Sequence, residues 1–241
     1  MAPSRIRQTG SDKAVNARLR WAEERLGYRF ETPELLEQAL THRSASRNNN
    51  ERLEFLGDAL LNFVVARRLY ERNDKDSEGD LSRLRASLVK GDTLAEIGRE
   101  LVVEPHVILG PGELRSGGAR LSSVLANTVE AVIGAILLDG GFAAAEACVN
   151  RLMEGRLRTL PAAASLKDPK TQLQEWLQGR GLGLPQYTVE STSGEPHQQA
   201  FVVQCVVAEK QASVKGQGSS RRSAEQDAAQ HMLSKLISDS E

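Results

Sequence analysis

Near residue 160 the hydrophobic period of this chain changes. Before that point apolar residues recur at helical spacing, as in Leu19, Ala22 and Leu26, and no segment reads convincingly as a strand. The stretch "LPAAASLKDP" is small, Pro-flanked and weakly charged, which suits a flexible linker. Beyond it, "LPQYTVEST", "QAFVVQCVVAEK" and "ASVKGQGSS" read as three short strands separated by turn residues. One helix, capped by Asp168-Pro169 and running through Arg180, precedes them. Another, from about Ser220 to Ile237, follows with Ala224, Ala228, Met232, Leu233 and Leu236 at helical spacing. The fold class expected is thus multidomain, an all-α part followed by a small α+β part of order αβββα. The boundaries drawn are a disordered start at 1–13, a helical domain at 14–155, a linker at 156–167 and an α+β domain at 168–238.

The 241 residues leave room for one large or two modest domains, and a hydrophobic content of 40% supports a real core. Aromatics are only 4%, which argues against a single-strand nucleic-acid reader built on stacking platforms. Net charge is −1, and neither half is basic: residues 1–167 carry 24 Lys/Arg against 23 Asp/Glu, and residues 168–241 carry 7 against 9. Any polyanion site must be a local patch. Cys148 and Cys205 are far apart and lack metal-ligand spacing, so free buried thiols in a reducing compartment are expected. The start "MAPSRIRQTGSDK" has no apolar core of a secretory signal. The most apolar stretch, "LSSVLANTVEAVIGAILL" at 121–138, contains Asn127, Thr128 and Glu130, which a membrane span would tolerate poorly. A buried helix of a soluble, cytoplasmic protein is expected, with no membrane partner.

Within the helical part, "ETPELLEQAL" opens a helix with Thr32 as N-cap and Pro33 at its first position. Asp80 and Asp92 are expected to cap "LSRLRASLVK" and "TLAEIGREL"; helices near 120–138 and 142–157 follow the loop "LGPGELRSGG". The longest helix, at roughly 50–72, holds the run "NNNERLEFLGDALLNFVV". Glu51, Glu54 and Asp58 lie three and then four residues apart and share one face, which Asn62 extends. Leu53, Phe55, Leu56, Leu60, Leu61, Phe63 and Val64 wrap most of the remaining circumference. Glu130 is the only charge between Arg120 and Asp139, with Asn127 one turn earlier. Gly57 and Gly134 would let the two helices approach closely. Two readings stay open from the residues alone. The acids are structural and paired with arginines, Arg47 and Arg52 being nearest to Glu51. Or two acidic stripes face each other across a divalent cation, for which oxygen-only donors select Mg²⁺ or Mn²⁺.

"NERLEFLGDALL" closely resembles the motif of the bacterial ribonuclease III family, endonucleases that cut double-stranded RNA. "ALTHRSAS", "EGDLSRLRASLV", "LGPGELRSGG" and "TVEAVIGAI" resemble further motifs of that family, and the resemblance runs from about residue 14 to 237. It implies an all-α ribonuclease III catalytic and dimerisation domain followed by a double-stranded-RNA-binding domain. Glu54, Asp58 and Glu130 fall on the family's metal-site positions and would be catalytic. Asn127 takes the fourth metal position, where the family pattern has Asp, so the site loses one negative charge. Glu51 and Glu78 match acids that support RNA or water in the cleavage valley. Phe55 matches a residue that plugs into a socket on a partner subunit, with an ordinary core phenylalanine as the lesser alternative. The implied activity is Mg²⁺-dependent hydrolysis, with Mn²⁺ as a possible substitute and no small-molecule cofactor. Paired ions about 3.5–4 Å apart would act on the scissile phosphate. Two sites in one homodimer would leave 5′-phosphate and 3′-hydroxyl ends with short 3′ overhangs, in ribosomal and messenger RNA processing.

The tail resembles the double-stranded-RNA-binding domain in element order and in residues. In "KTQLQEWLQ", Thr171, Gln174 and Glu175 would face a minor groove, and His197 in "GEPHQQAF" would reach the next one. In "GSSRRSAEQDAA", Ser220, Arg221 and Arg222 would grip phosphates at a helix N-terminus, whose free N–H groups and dipole favour anions. Glu225 departs from the pattern, standing where many such domains place a third basic residue. Such domains read A-form shape with little sequence readout, so one basic face suffices. The alternative function is a non-catalytic or attenuated double-stranded-RNA-binding regulator, which Asn127 favours and Glu130 opposes. A weaker one is a maturation enzyme of the same fold restricted to folded ribosomal RNA.

Overall fold

The computed structural model describes residues 10–72, 74–112, 119–162, 166–195 and 199–239. The chain separates into two compact units, Met1–Pro161 and Ala162–Glu241. Unit one contains α1 (Gly10–Trp21), a π-helical turn (Ala22–Leu26), α2 (Pro33–Leu40), α3 (Glu51–Arg72), α4 (Glu78–Val89), α5 (Gly91–Glu100) and α6 (Ala119–Arg158). Its only β pairing among the described residues is an isolated bridge between Thr41 and Ile108. Helix α1 starts ahead of Val15, inside the segment expected to be disordered; residues 1–9 of that segment lie outside the described residues.

The apolar residues of α6 lie all round the helix, and the structure shows why. Val124, Leu125, Ala126, Val129, Ala131, Val132, Ile133, Ala135 and Ile136 are buried, as is Thr128, whose hydroxyl donates to Val124 O at 2.7 Å. A helix apolar on every side belongs at the centre of a fold or in a membrane. The stretch Leu121–Arg158 is long and apolar enough to cross one, yet 61% of its most apolar window is packed inside the unit. Gly141, at φ 76°, breaks the helix where the sequence separates two. A side chain there would strain the backbone.

Three expected caps are corrected. Ser77, not Asp80, caps α4: its hydroxyl accepts from Asp80 N at 3.2 Å, and Asp80 Oδ2 accepts from the same hydroxyl at 2.6 Å. Asp80 is the third residue of α4 and closes a Ser-x-x-acid box that straddles the helix start. Asp92 is the second residue of α5, and Lys90 stands at the N-cap position. Thr32 occupies the N-cap of α2, but its side chain makes no cap bond. Instead Asp139 of α6 accepts from Glu31 N and Thr32 N, both at 2.8 Å.

Unit two runs α7 (Pro169–Gln178), β1 (Gln186–Ser193), β2 (Ala200–Val207), β3 (Ala212–Gly218) and α8 (Arg221–Ser238). The strands form one antiparallel sheet in the order β1-β2-β3, with Tyr187 opposite Cys205 and Cys205 opposite Val214. Both helices cover one face through Leu173, Leu177, Ala228, Met232 and Leu236, packed on Cys205, Val207 and Ala212. Burying a leucine of this kind contributes about 1.5–3 kcal/mol. At Gly216 a Cβ would collide with the backbone of Ala228, so the glycine sets how closely α8 can lie on β3. Both cysteines are free and buried.

Candidate active site and nucleic-acid interface

Helices α3 and α6 cross at two glycines. A Cβ on Gly57 would run into the Glu130 carbonyl oxygen, and one on Gly134 into the Leu53 carbonyl oxygen. The backbones therefore approach closely beside the acids of both helices, as Gly57 and Gly134 lead one to expect. On one side of the crossing Asn127 hydrogen-bonds to the Glu54 carboxylate. One turn further along α3, Asn62 Nδ2 donates to Asp58 Oδ1 at 2.8 Å and to Asp58 O at 3.0 Å, fixing that carboxylate.

Electrostatics tie the acids together. Burial, and then the charges of Asp58 and Glu54, push the Glu130 carboxyl up to about 7. Burial also holds Glu54 above the ordinary carboxylate range; the Asn127 hydrogen bond and the Arg43 charge oppose this, while Glu51 and Asp58 add to it. Glu54, Asp58, Asn127 and Glu130 thus form one neighbourhood, with Glu54 and Glu130 partly buried and Asp58 and Glu51 exposed. The site is wetter than a stripe enclosed by apolar residues would be. Phe55 and Phe63 are the reason: with side chains turned outward they are 79% and 55% exposed, and Tyr70 on the same stripe is 75% exposed. Phe55 is therefore no core residue of this chain.

Among the described residues no three Asp, Glu, His or Cys side chains close into a ready-made metal cage. The donor set nevertheless fits a hard divalent cation: it is all oxygen, partly dry, and carries like charges that a cation would relieve. Glu78 is exposed at the start of α4 and accepts from Ser82 Oγ at 2.8 Å. Glu51 pairs with Arg43 at 3.4 Å rather than with Arg47 or Arg52.

In unit two, Thr171, Gln174 and Glu175 are exposed on one face of α7. Glu175 accepts from Lys167 Nζ at 2.6 Å. Ser220 caps α8 in a reciprocal box with Ser223. Arg221 and Arg222 are exposed on the first turn, and among the described residues Arg222 has no ion-pair partner. Glu225 does more than omit a cation. It accepts from Lys170 at 2.6 Å and from Arg221 at 2.9 Å, and these bonds, that with Lys170 foremost, hold its carboxyl below the usual range. His197 lies outside the described residues.

The pairings of Arg43, Asn62 and Lys170 were not read from the sequence. Arg43 and Lys170 sit inside motifs quoted for other residues. In the sequence Asn62 only continues the stripe, although an amide one turn after an acid is a recognisable clamp.

A helical domain with a carboxylate cluster at a glycine crossing, joined to an αβββα domain with a basic helix start, defines a class of modular enzyme acting on nucleic acid. Residues 32–156 match the Ribonuclease-III-like family, and residues 169–236 match the double-stranded RNA binding motif. The chain is 55% identical over 219 residues to ribonuclease 3 of Nitrosococcus oceani, covering 90% of this chain and 94% of that one. It is likewise 55% identical over 212 residues to ribonuclease 3 of Vibrio cholerae, covering 88% and 94%. Among solved structures, the nuclease domain of ribonuclease III from Campylobacter jejuni matches with a TM-score of 0.56 at 42% identity, covering 58% of this chain and 99% of that one. The chain belongs to the ribonuclease III family of double-stranded-RNA endoribonucleases. Members of that family depend on a divalent metal.

Proposed function

We propose that Glu54, Asp58 and Glu130, with Asn127 in the fourth place, hold Mg²⁺ and cut duplex RNA that the C-terminal domain delivers. The observation that carries this reading is the meeting of the three acids at the glycine crossing of α3 and α6, where burial first and then the charges of Asp58 and Glu54 raise the Glu130 carboxyl to about 7. When bound, a divalent cation supplies the charge that stabilises a phosphoryl transition state and activates water. The protein's own part is orientation. Asn127 turns Glu54, Asn62 turns Asp58, and the glycine crossing fixes the spacing of the two helices. Mn²⁺ has the same preference for oxygen donors and could substitute.

Glu51 and Glu78 support RNA or water around this site. Thr171, Gln174, Glu175 and His197 contact minor grooves, and Ser220, Arg221 and Arg222 contact phosphates. The exposed stripe Phe55, Phe63 and Tyr70 supports a homodimer through α3, with Phe55 as the plug. The Campylobacter jejuni structure is itself described by a region involved in dimer formation. An open groove of about 400 Å³ lined by Phe63, Ala66, Tyr70 and Leu81 continues the stripe. Cytoplasmic processing of ribosomal and messenger RNA precursors, with 5′-phosphate ends and short 3′ overhangs, completes the proposal.

The test is a labelled perfect RNA duplex incubated with and without Mg²⁺. Discrete cutting with Mg²⁺ and none in chelator is expected. Intact duplex in both, with a strong gel shift, would favour the binding-regulator reading.

A further inference from the structure

The turn before α3 is tied down more firmly than exposed loops commonly are. His42 N donates to Ile108 O, Ala45 N to His42 O and Asn50 N to Thr41 O, each at 2.9 Å. Gly110 N donates to Ser44 Oγ at 2.9 Å. A Cβ on Gly110 would collide with the Ser44 carbonyl oxygen, so the two segments lie in close contact. Asn50 is buried to 2% exposure at the point where this turn enters α3.

What this rigid turn displays is Arg43. Its side chain is 71% exposed and its ion pair with the exposed Glu51 spans 3.4 Å, a geometry that contributes little. Glu51 lies one turn before Glu54 on α3, so this contact places the guanidinium at the rim of the acid cluster. A guanidinium offers five donors in a planar fork that matches phosphate. An RNA backbone approaching Glu51, Glu54, Asp58 and Glu130 meets like charge, and Arg43 is a cation that a hydrogen-bonded turn presents beside them.

We propose that Arg43 is a substrate contact. On duplex entry it leaves Glu51 and takes a backbone phosphate next to the bond cut at the Glu54–Asp58–Glu130 site. This rests on the nuclease reading above.

The experiment uses full-length protein with Arg43→Ala, Arg43→Lys, Glu51→Gln and the Arg43→Ala/Glu51→Gln pair. Each is measured for duplex binding against salt in chelator, and for cleavage of the same duplex with Mg²⁺. Arg43→Ala should lower kcat/KM about tenfold and reduce the slope of log affinity against log salt by about one. Arg43→Lys should restore the salt slope but only part of the rate, because it keeps the charge and loses the fork. Its cooperative thermal melt, compared with that of wild type, keeps a folding defect in Arg43→Ala separable. An unchanged slope and rate in Arg43→Ala would overturn the proposal. So would a rate loss identical to that of Glu51→Gln and not increased in the pair, with the salt slope intact, since Arg43 would then only hold Glu51. Wild type that binds but never cuts would defeat the nuclease reading, and the salt slope would still decide whether Arg43 touches phosphate.

Discussion

At the scale of single residues, Asn127 and Glu130 divide the electrostatic work. Asn127 donates to Glu54; Asp at this position could not donate while ionised and would add charge to a partly dry site. Asn127→Asp should therefore lower the Mg²⁺ concentration for half-maximal cleavage, on the order of tenfold. It should also weaken the metal-free fold slightly. A titration of initial rate against Mg²⁺ checks this, and an unchanged or right-shifted curve would place Asn127 outside the metal's reach. Glu130 makes a separate prediction about pH. Its carboxyl is raised from 4.5 to about 7 in the folded chain, so on raising the pH the unfolded state loses this proton first. The unfolded state then binds fewer protons than the native state, and stability falls as pH rises between those values. Thermal melts of the metal-free protein should show that fall, and Glu130→Gln should flatten it. An equally steep fall in the variant would move the effect to another group.

At the scale of elements, the α3–α6 crossing is the part of the fold that the site depends on most. Gly57→Ala places a methyl group against the Glu130 carbonyl oxygen, and backbone on both sides leaves little room to yield. A loss of about 3 kcal/mol is expected, measured by urea unfolding in the absence of metal. A loss below about 1 kcal/mol would mean that the helices can separate without cost. The crossing was legible beforehand because Gly57 and Gly134 each lie close in sequence to an acid. The strand–strand–strand order between α7 and α8 was legible from the change of period. The α4 cap was not, because Ser77 and Asp80 share one box and the sequence alone does not say which stands outside the helix. The outward face of α3 was legible only at Phe55, and there through the family resemblance alone. Phe63 and Tyr70 have core chemistry, and composition cannot distinguish a side chain buried in its own chain from one left exposed.

At the scale of the whole molecule, the acids proposed to cut and the α8 arginines proposed to bind fall in different units. The acid cluster lies in Met1–Pro161 and the exposed arginine pair of α8 in Ala162–Glu241. A truncation ending at Lys167 should remain dimeric by sedimentation and cleave only at low salt, since a smaller set of phosphate contacts tolerates less counterion competition. A monomeric truncation would remove Phe55 as a dimer plug. The division of labour meets its most direct test in Glu130→Gln, assayed on one preparation for both duplex gel shift and Mg²⁺-dependent cleavage. The substitution removes a carboxylate from the cluster and leaves the exposed cations of unit two untouched. A gel shift within about twofold of wild type is expected, an ordinary surface-scale effect. Cleavage should fall by at least about a hundredfold, the scale of a lost catalytic charge. Cleavage near the wild-type rate would contradict the assignment of the site.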